Sequence, residues 1–113
     1  ALGKSLFSTL PDDEINKILE HYNFKKYTER TITSRTMFIK EIKKVRELGF
    51  AIDRKEHEKN IVCYGKSFLN SINGNFLSIS ISIPDYRFKE SDANRIIYSL
   101  NETVDWFESK LAI

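Results

Sequence analysis

Ser78-Ile79-Ser80-Ile81-Ser82-Ile83-Pro84 alternates without a break. Successive side chains of a β-strand point to opposite faces. One face of this segment is therefore all isoleucine and the other all serine hydroxyl, repeating about 6–7 Å apart, twice the rise per residue. The isoleucine face requires a core. The serine face meets water or lines a pocket for a ligand with oxygens.

Working back from this strand, Asn70-Ser71-Ile72-Asn73-Gly74-Asn75 contains Asn-Gly, the strongest short hairpin signal. Residues 61–69 then form the partner strand and residues 76–83 the return strand, so the sheet is at least partly antiparallel. Phe50-Ala51-Ile52 reads as a further short strand, and residues 53–59 as a charged loop or edge. Thr31-Ile32-Thr33 reads as a short β-branched strand or an extended lead-in.

Helices fill the rest. Leu2, Leu6 and Leu10, with Phe7, recur at helical spacing up to Pro11. Pro11-Asp12-Asp13-Glu14 suits a helix start, because proline tolerates the first turn and carboxylates favour the positive end of the dipole. Ile15, Ile18, Leu19 and Tyr22 follow as its buried stripe. Ser34 caps a third helix with Phe38, Ile42 and Val45 facing the core and Met37, Ile39 and Leu48 beside them. Gly49 ends it. Lys40, Lys43 and Lys44, with Glu41 and Glu47, form a solvated face. Ser91-Asp92 caps a long final helix with core positions Ile96, Ile97, Leu100, Val104, Phe107 and Leu111. The sum is one α+β domain, residues 1–113, in which helices cover a partly antiparallel sheet.

Composition narrows the function. The 113 residues are 41% hydrophobic and 30% charged, ordinary for a globular protein, with net charge only +2. The basic residues are dispersed among acidic ones, with no phosphate-tracking stripe and no zinc-finger spacing, so the chain is not expected to bind nucleic acid by itself. Cys63 is the one cysteine, which excludes an internal disulfide and fits a reducing, cytoplasmic setting. No apolar run approaches a membrane span. The N-terminus lacks signal-peptide character and methionine, and reads as a fragment opening on a helix.

No catalytic motif emerges. Gly3-Lys4-Ser5 resembles the tail of a phosphate-binding loop but lacks the preceding strand and glycine. His21 and His57 stand alone, outside metal-ligand spacings, so no metal or other cofactor is expected. The serines lack a nucleophile elbow. A binding pocket fits better. The hairpin makes the strands of Cys63 and Ser80 neighbours, so a thiol and hydroxyls converge on one sheet face, with Asp53 at the end of the preceding strand. A small polar ligand there meets donors and one carboxylate, and a helix start beside it adds amides for a carboxylate.

At these residues the chain resembles the effector-binding domain of IclR-type bacterial transcription regulators. Ala1-Leu2-Gly3-Lys4-Ser5-Leu6-Phe7-Ser8-Thr9-Leu10-Pro11 is similar to the family's Gly-Lys-Ala-Leu-Leu-Ala-x-Leu-Pro segment. Tyr27-Thr28 to Thr33 resembles its Thr-x-x-Thr-Ile-Thr element. The segment from Val45-Arg46 to Ala51-Ile52-Asp53 resembles Ile-Arg-x-x-Gly-Tyr-Ala-x-Asp. Glu56 or Glu58, followed by Val62-Cys63, matches Glu-x-x-x-Gly-x-x-Cys-Ile. Ser80-Ile81-Ser82-Ile83-Pro84 with Arg87 matches Ser-Ile-Ser-Gly-Pro and its following arginine. The order of these pieces covers nearly the whole chain. Three departures stand out: Tyr64-Gly65-Lys66-Ser67 after the cysteine, where the family has Ile-Ala-Ala-Pro; Asn60 in place of glycine; and Ile83 in place of glycine.

The resemblance implies a GAF/PAS-like sensor domain for a small organic acid or related metabolite. It implies a site formed by Ala1, Leu2, Asp53, Cys63, Ser80 and Ser82, the first two through their backbone. It also implies homodimers or homotetramers, and DNA contact only through an N-terminal winged helix-turn-helix that precedes this segment, together with the first sensor strands, in the whole protein. A non-enzymatic sensor is the leading expectation. The alternatives are an oligomerisation module that has lost its ligand and a Cys63-dependent enzyme.

Overall fold

The computed structural model describes residues 1–111. Its elements are α1 (Leu2–Phe7), α2 (Asp12–Glu20), α3 (Arg35–Leu48), β1 (Ala51–Arg54), β2 (Ile61–Asn70), β3 (Asn75–Pro84) and α4 (Ala93–Leu111). Two single 3-10 turns, Asp85–Arg87 and Glu90–Asp92, lie between β3 and α4. The sheet is antiparallel throughout, in the order β1-β2-β3.

The hairpin forms where the Asn-Gly signal puts it. Asn70 pairs with Asn75, and Gly74 takes φ +75°, a left-handed conformation open to glycine at no steric cost. Pairing then runs without a slip from Asn70–Asn75 to Ile61–Pro84. Period-two alternation therefore divides the sheet into two unlike faces. Val62 and Tyr64 on β2 and Ile79, Ile81 and Ile83 on β3 pack with Leu100, Ile96 and Ile97 of α4. The opposite face carries the serines, Cys63 and Gly65, and α1 lies on it. Among the described residues β3 ends the sheet, ten residues long and without a charged side chain.

A second cluster holds the helices together. Ile15, Leu19 and Ile42 are buried, with Phe7, Leu10, Phe24 and Phe38 packed around them. Ser34 Oγ accepts from Met37 N at the start of α3, and Gly49 closes it at φ +83°. Both ends follow the sequence reading.

The structure corrects several details. Ile18 and Tyr22 are 43% and 56% exposed, because only the Ile15–Leu19 line of α2 reaches α3. Phe107 is exposed at the rim of α4, where it stacks on Phe68. Thr31–Thr33 forms no strand and serves as an extended lead-in to α3. Ser91-Asp92 belongs to a 3-10 turn, and the Asp92 carboxylate pairs with Arg95. No helix among the described residues is long and apolar enough to cross a membrane.

Candidate functional site

Sheet register brings three of the expected residues into one row. Asp53 of β1 lies opposite Cys63 of β2, and Cys63 lies opposite Ser82 of β3. The Cys63 thiol is 3.3 Å from Ser82 Oγ. Ser80 lies one step along the same face, opposite Gly65. Ser82 is exposed, while Asp53, Cys63 and Ser80 are half-buried.

The start of α1 closes over this row. A side-chain Cβ at position 65 would meet the Ala1 carbonyl carbon and oxygen at 2.9 Å. Gly65 is thus the point where the sheet admits the backbone of Ala1. The Ala1 nitrogen sits 3.9 Å from Asp53 Oδ2. The first helical amides, from Leu2 on, have no partner within the helix. With six residues α1 has little macrodipole, so these amides act as local donors.

Two residues outside the expected set hold this arrangement. Lys4 Nζ lies 2.6 Å from Glu56 Oε1 and 3.3 Å from Glu41 Oε1, and donates to the Ile52 carbonyl at 2.8 Å. Of the two glutamates Glu56 and Glu58, Glu56 is the one that Lys4 holds. The Glu56 amide in turn donates to Asp53 Oδ1 at 2.8 Å, so Asp53 is held from the loop side. The loop itself is tied down by Thr28 Oγ1, which donates to the Lys55 carbonyl at 2.6 Å, and by Thr31 Oγ1 on the Glu56 carbonyl. Nothing in local sequence tells which glutamate a lysine fifty positions away will choose.

The third serine has another task. Ser78 Oγ is 2.5 Å from Ser5 Oγ, which also donates to the Leu2 carbonyl. Ser5 is 1% exposed. The serine face is therefore divided: Ser78 seats α1, whereas Ser80 and Ser82 stand beside the Ala1 end. On the reverse face Tyr64 is fully buried, and its hydroxyl has no partner among the described residues. Burial pushes that hydroxyl above the usual tyrosine range, Arg54 pulls it back and Glu90 adds to the rise.

The family described as bacterial transcriptional regulator IclR C-terminal matches residues 1–107. The HTH-type transcriptional regulator KdgR of Escherichia coli K12 is 33% identical over 101 residues, 89% of this chain and 38% of that protein. The HTH-type transcriptional repressor AllR of the same strain is 27% identical over 88 residues, 78% of this chain and 32% of that protein. The chain thus spans about a third of the length of these curated relatives. The crystal structure of the E. coli KdgR C-terminal domain superposes with a TM-score of 0.89 at 29% identity, over 100% of this chain and 69% of that one. The inducer-binding domain of PobR from Acinetobacter, a double mutant in complex with 3-hydroxybenzoic acid, has a TM-score of 0.85 over 95% of this chain and 64% of that one. At 22% identity that likeness is one of fold.

Proposed function

The chain belongs to the IclR family of bacterial transcriptional regulators, as a C-terminal domain, and from that premise we propose that it senses a small organic acid at the Asp53–Cys63–Ser82 row. The observation that carries the reading is the meeting of this row with the Ala1 backbone over Gly65. Ser80, Ser82 and the Leu2 amide offer donors to a carboxylate. Asp53 already accepts from the Glu56 amide, and its remaining lone pairs suit a hydroxyl or amide of the ligand. The carboxylate therefore points away from Asp53, since two like charges at close range raise each other's cost. The 3-hydroxybenzoic acid held by the PobR domain of the same fold supports this class of ligand.

In a full-length regulator this domain would bias a separate DNA-binding module. Self-association belongs to the same proposal: Tyr98 and Trp106 of α4 are 63% and 56% exposed and offer aromatic contact area. A concentration-independent monomer mass in sedimentation would count against that part.

The ligand reading is tested by thermal shift against a panel of small keto, hydroxy and dicarboxylic acids. Ligand at 100 times its Kd adds about 2.7 kcal/mol of stability. A panel in which no acid moves the transition would refute it.

A further inference from the structure

An apolar hollow that shares Lys4 and Glu56 with the supports of the serine row, but none of Cys63, Ser80 or Ser82, lies beside α1. It measures about 210 Å3 and opens between α1, α2 and the segment leading to α3. Phe7, Phe24 and Phe38 form its floor, the three rings in edge or tilted contact at 5.0 and 6.1 Å. Tyr22 and Tyr27 rise at its rim, each more than half exposed, and His57 leans on Tyr27 at 4.5 Å. Six ring side chains thus enclose one space.

Its charges are unevenly disposed. Glu56 lines the hollow, but Lys4 Nζ lies 2.6 Å from its Oε1 and 2.8 Å from its Oε2. That acid is paired where it stands, with a cation that Glu41 also approaches at 3.3 Å. Lys25 sits at the mouth, 5.5 Å from the centre of the Tyr27 ring, and makes no salt bridge among the described residues. The unmatched charge facing an incoming molecule is therefore positive.

We propose that this hollow is a second ligand site, separate from the serine row, for a single-ring aromatic carboxylate. Volume sets the size: an apolar cavity of about 150 Å3 holds benzene, and drug-sized ligands need roughly 300 Å3 or more. Ring walls favour an aromatic guest through offset and edge contacts. Lys25 selects the anion. The inner wall is the Lys4–Glu56 pair, whose glutamate amide holds Asp53, so occupancy here is transmitted to the serine row through one hydrogen bond.

Benzoate is the probe, with toluene and cyclohexanecarboxylate as controls, followed by NMR of the labelled aromatic rings and the backbone amides. Saturable shifts of the Phe24, Phe38, Tyr22 and Tyr27 rings at millimolar benzoate are expected. They are lost in Tyr27→Ala and in Tyr22→Ala, two rim changes that spare the core. Lys25→Gln weakens benzoate about two- to fivefold, the range an exposed charge contributes, and leaves toluene unchanged. The double change Ser80→Ala, Ser82→Ala leaves these shifts intact, which separates this site from the proposed effector site. Shifts confined to Cys63, Ser80 and Ser82, no ring shifts up to the solubility limit, or cyclohexanecarboxylate binding as tightly as benzoate would each overturn the proposal.

Discussion

Lys4 Nζ and Glu56 Oε1 meet at 2.6 Å although 52 positions separate them, and both side chains are nearly withdrawn from water, at 10% and 17% exposure. The pair ties α1 to the loop after β1, and so sets where the Ala1 backbone crosses the sheet. Lys4→Met leaves Glu56 and Glu41 without their cation. Removing one partner of a buried pair costs about 3–5 kcal/mol, and the partial exposure here places the expected loss at the low end. Urea denaturation of the two proteins measures it; an unchanged midpoint would contradict the anchoring role.

Gly65→Ala places a methyl 2.9 Å from the Ala1 backbone. The sheet cannot yield there, because Gly65 is paired on both sides. The helix must lift, at a cost of about 1–3 kcal/mol, and Ser5 separates from Ser78. Amide exchange at Ser5 and Ser8 should accelerate in the variant more than exchange in β2.

Ser80→Ala with Ser82→Ala removes two hydroxyls without disturbing Ser78, which seats α1. Binding of any acid found by thermal shift should weaken by roughly 1–3 kcal/mol, the cost of unmatched polar groups. The fold should persist, since neither hydroxyl supports a helix. Titration calorimetry showing equal affinity would remove both serines from the site.

Tyr64→Phe deletes a buried hydroxyl that has no partner among the described residues, so stability near neutral pH should hold or rise slightly. The pH dependence has a definite sign. The folded protein keeps this hydroxyl protonated above the usual tyrosine value of about 10, whereas the unfolded chain ionises there. Stability is thus fully present below about pH 10 and is lost as pH rises through the folded value. Urea midpoints measured above and below that pH should fall less in Tyr64→Phe than in the parent. Parallel curves would show that Tyr64 does not govern alkaline unfolding.

The residues that announce the fold are those whose signals are local. Alternation from Ser78 to Ile83 and the Asn-Gly turn determine the strand pair and its faces, and Ser34 and Gly49 mark both ends of α3. The Asp53–Cys63–Ser82 row follows from the hairpin once register is known. The supports of the row were hidden, because Lys4, Glu56, Ser5 and Gly65 act across long sequence separations. Gly65 in particular carried no positive-φ signal; it is small because Ala1 lies on it. Ile18, Tyr22 and Phe107 matched the helical period yet stay exposed, since periodicity names a face without saying how wide the covering neighbour is.

The outer rim of β3 is uncharged and, among the described residues, has no strand paired to it. Natural edges are usually guarded by lysine, a bulge or an inward charge, and Asn75 to Ile83 has no such guard. Its backbone is a template on which another extended strand can dock. A strand from outside these residues, or from a second chain, would extend the sheet at this edge. Leu77→Lys, at a position already 41% exposed, should slow growth in light scattering on concentration while leaving the melting temperature nearly unchanged.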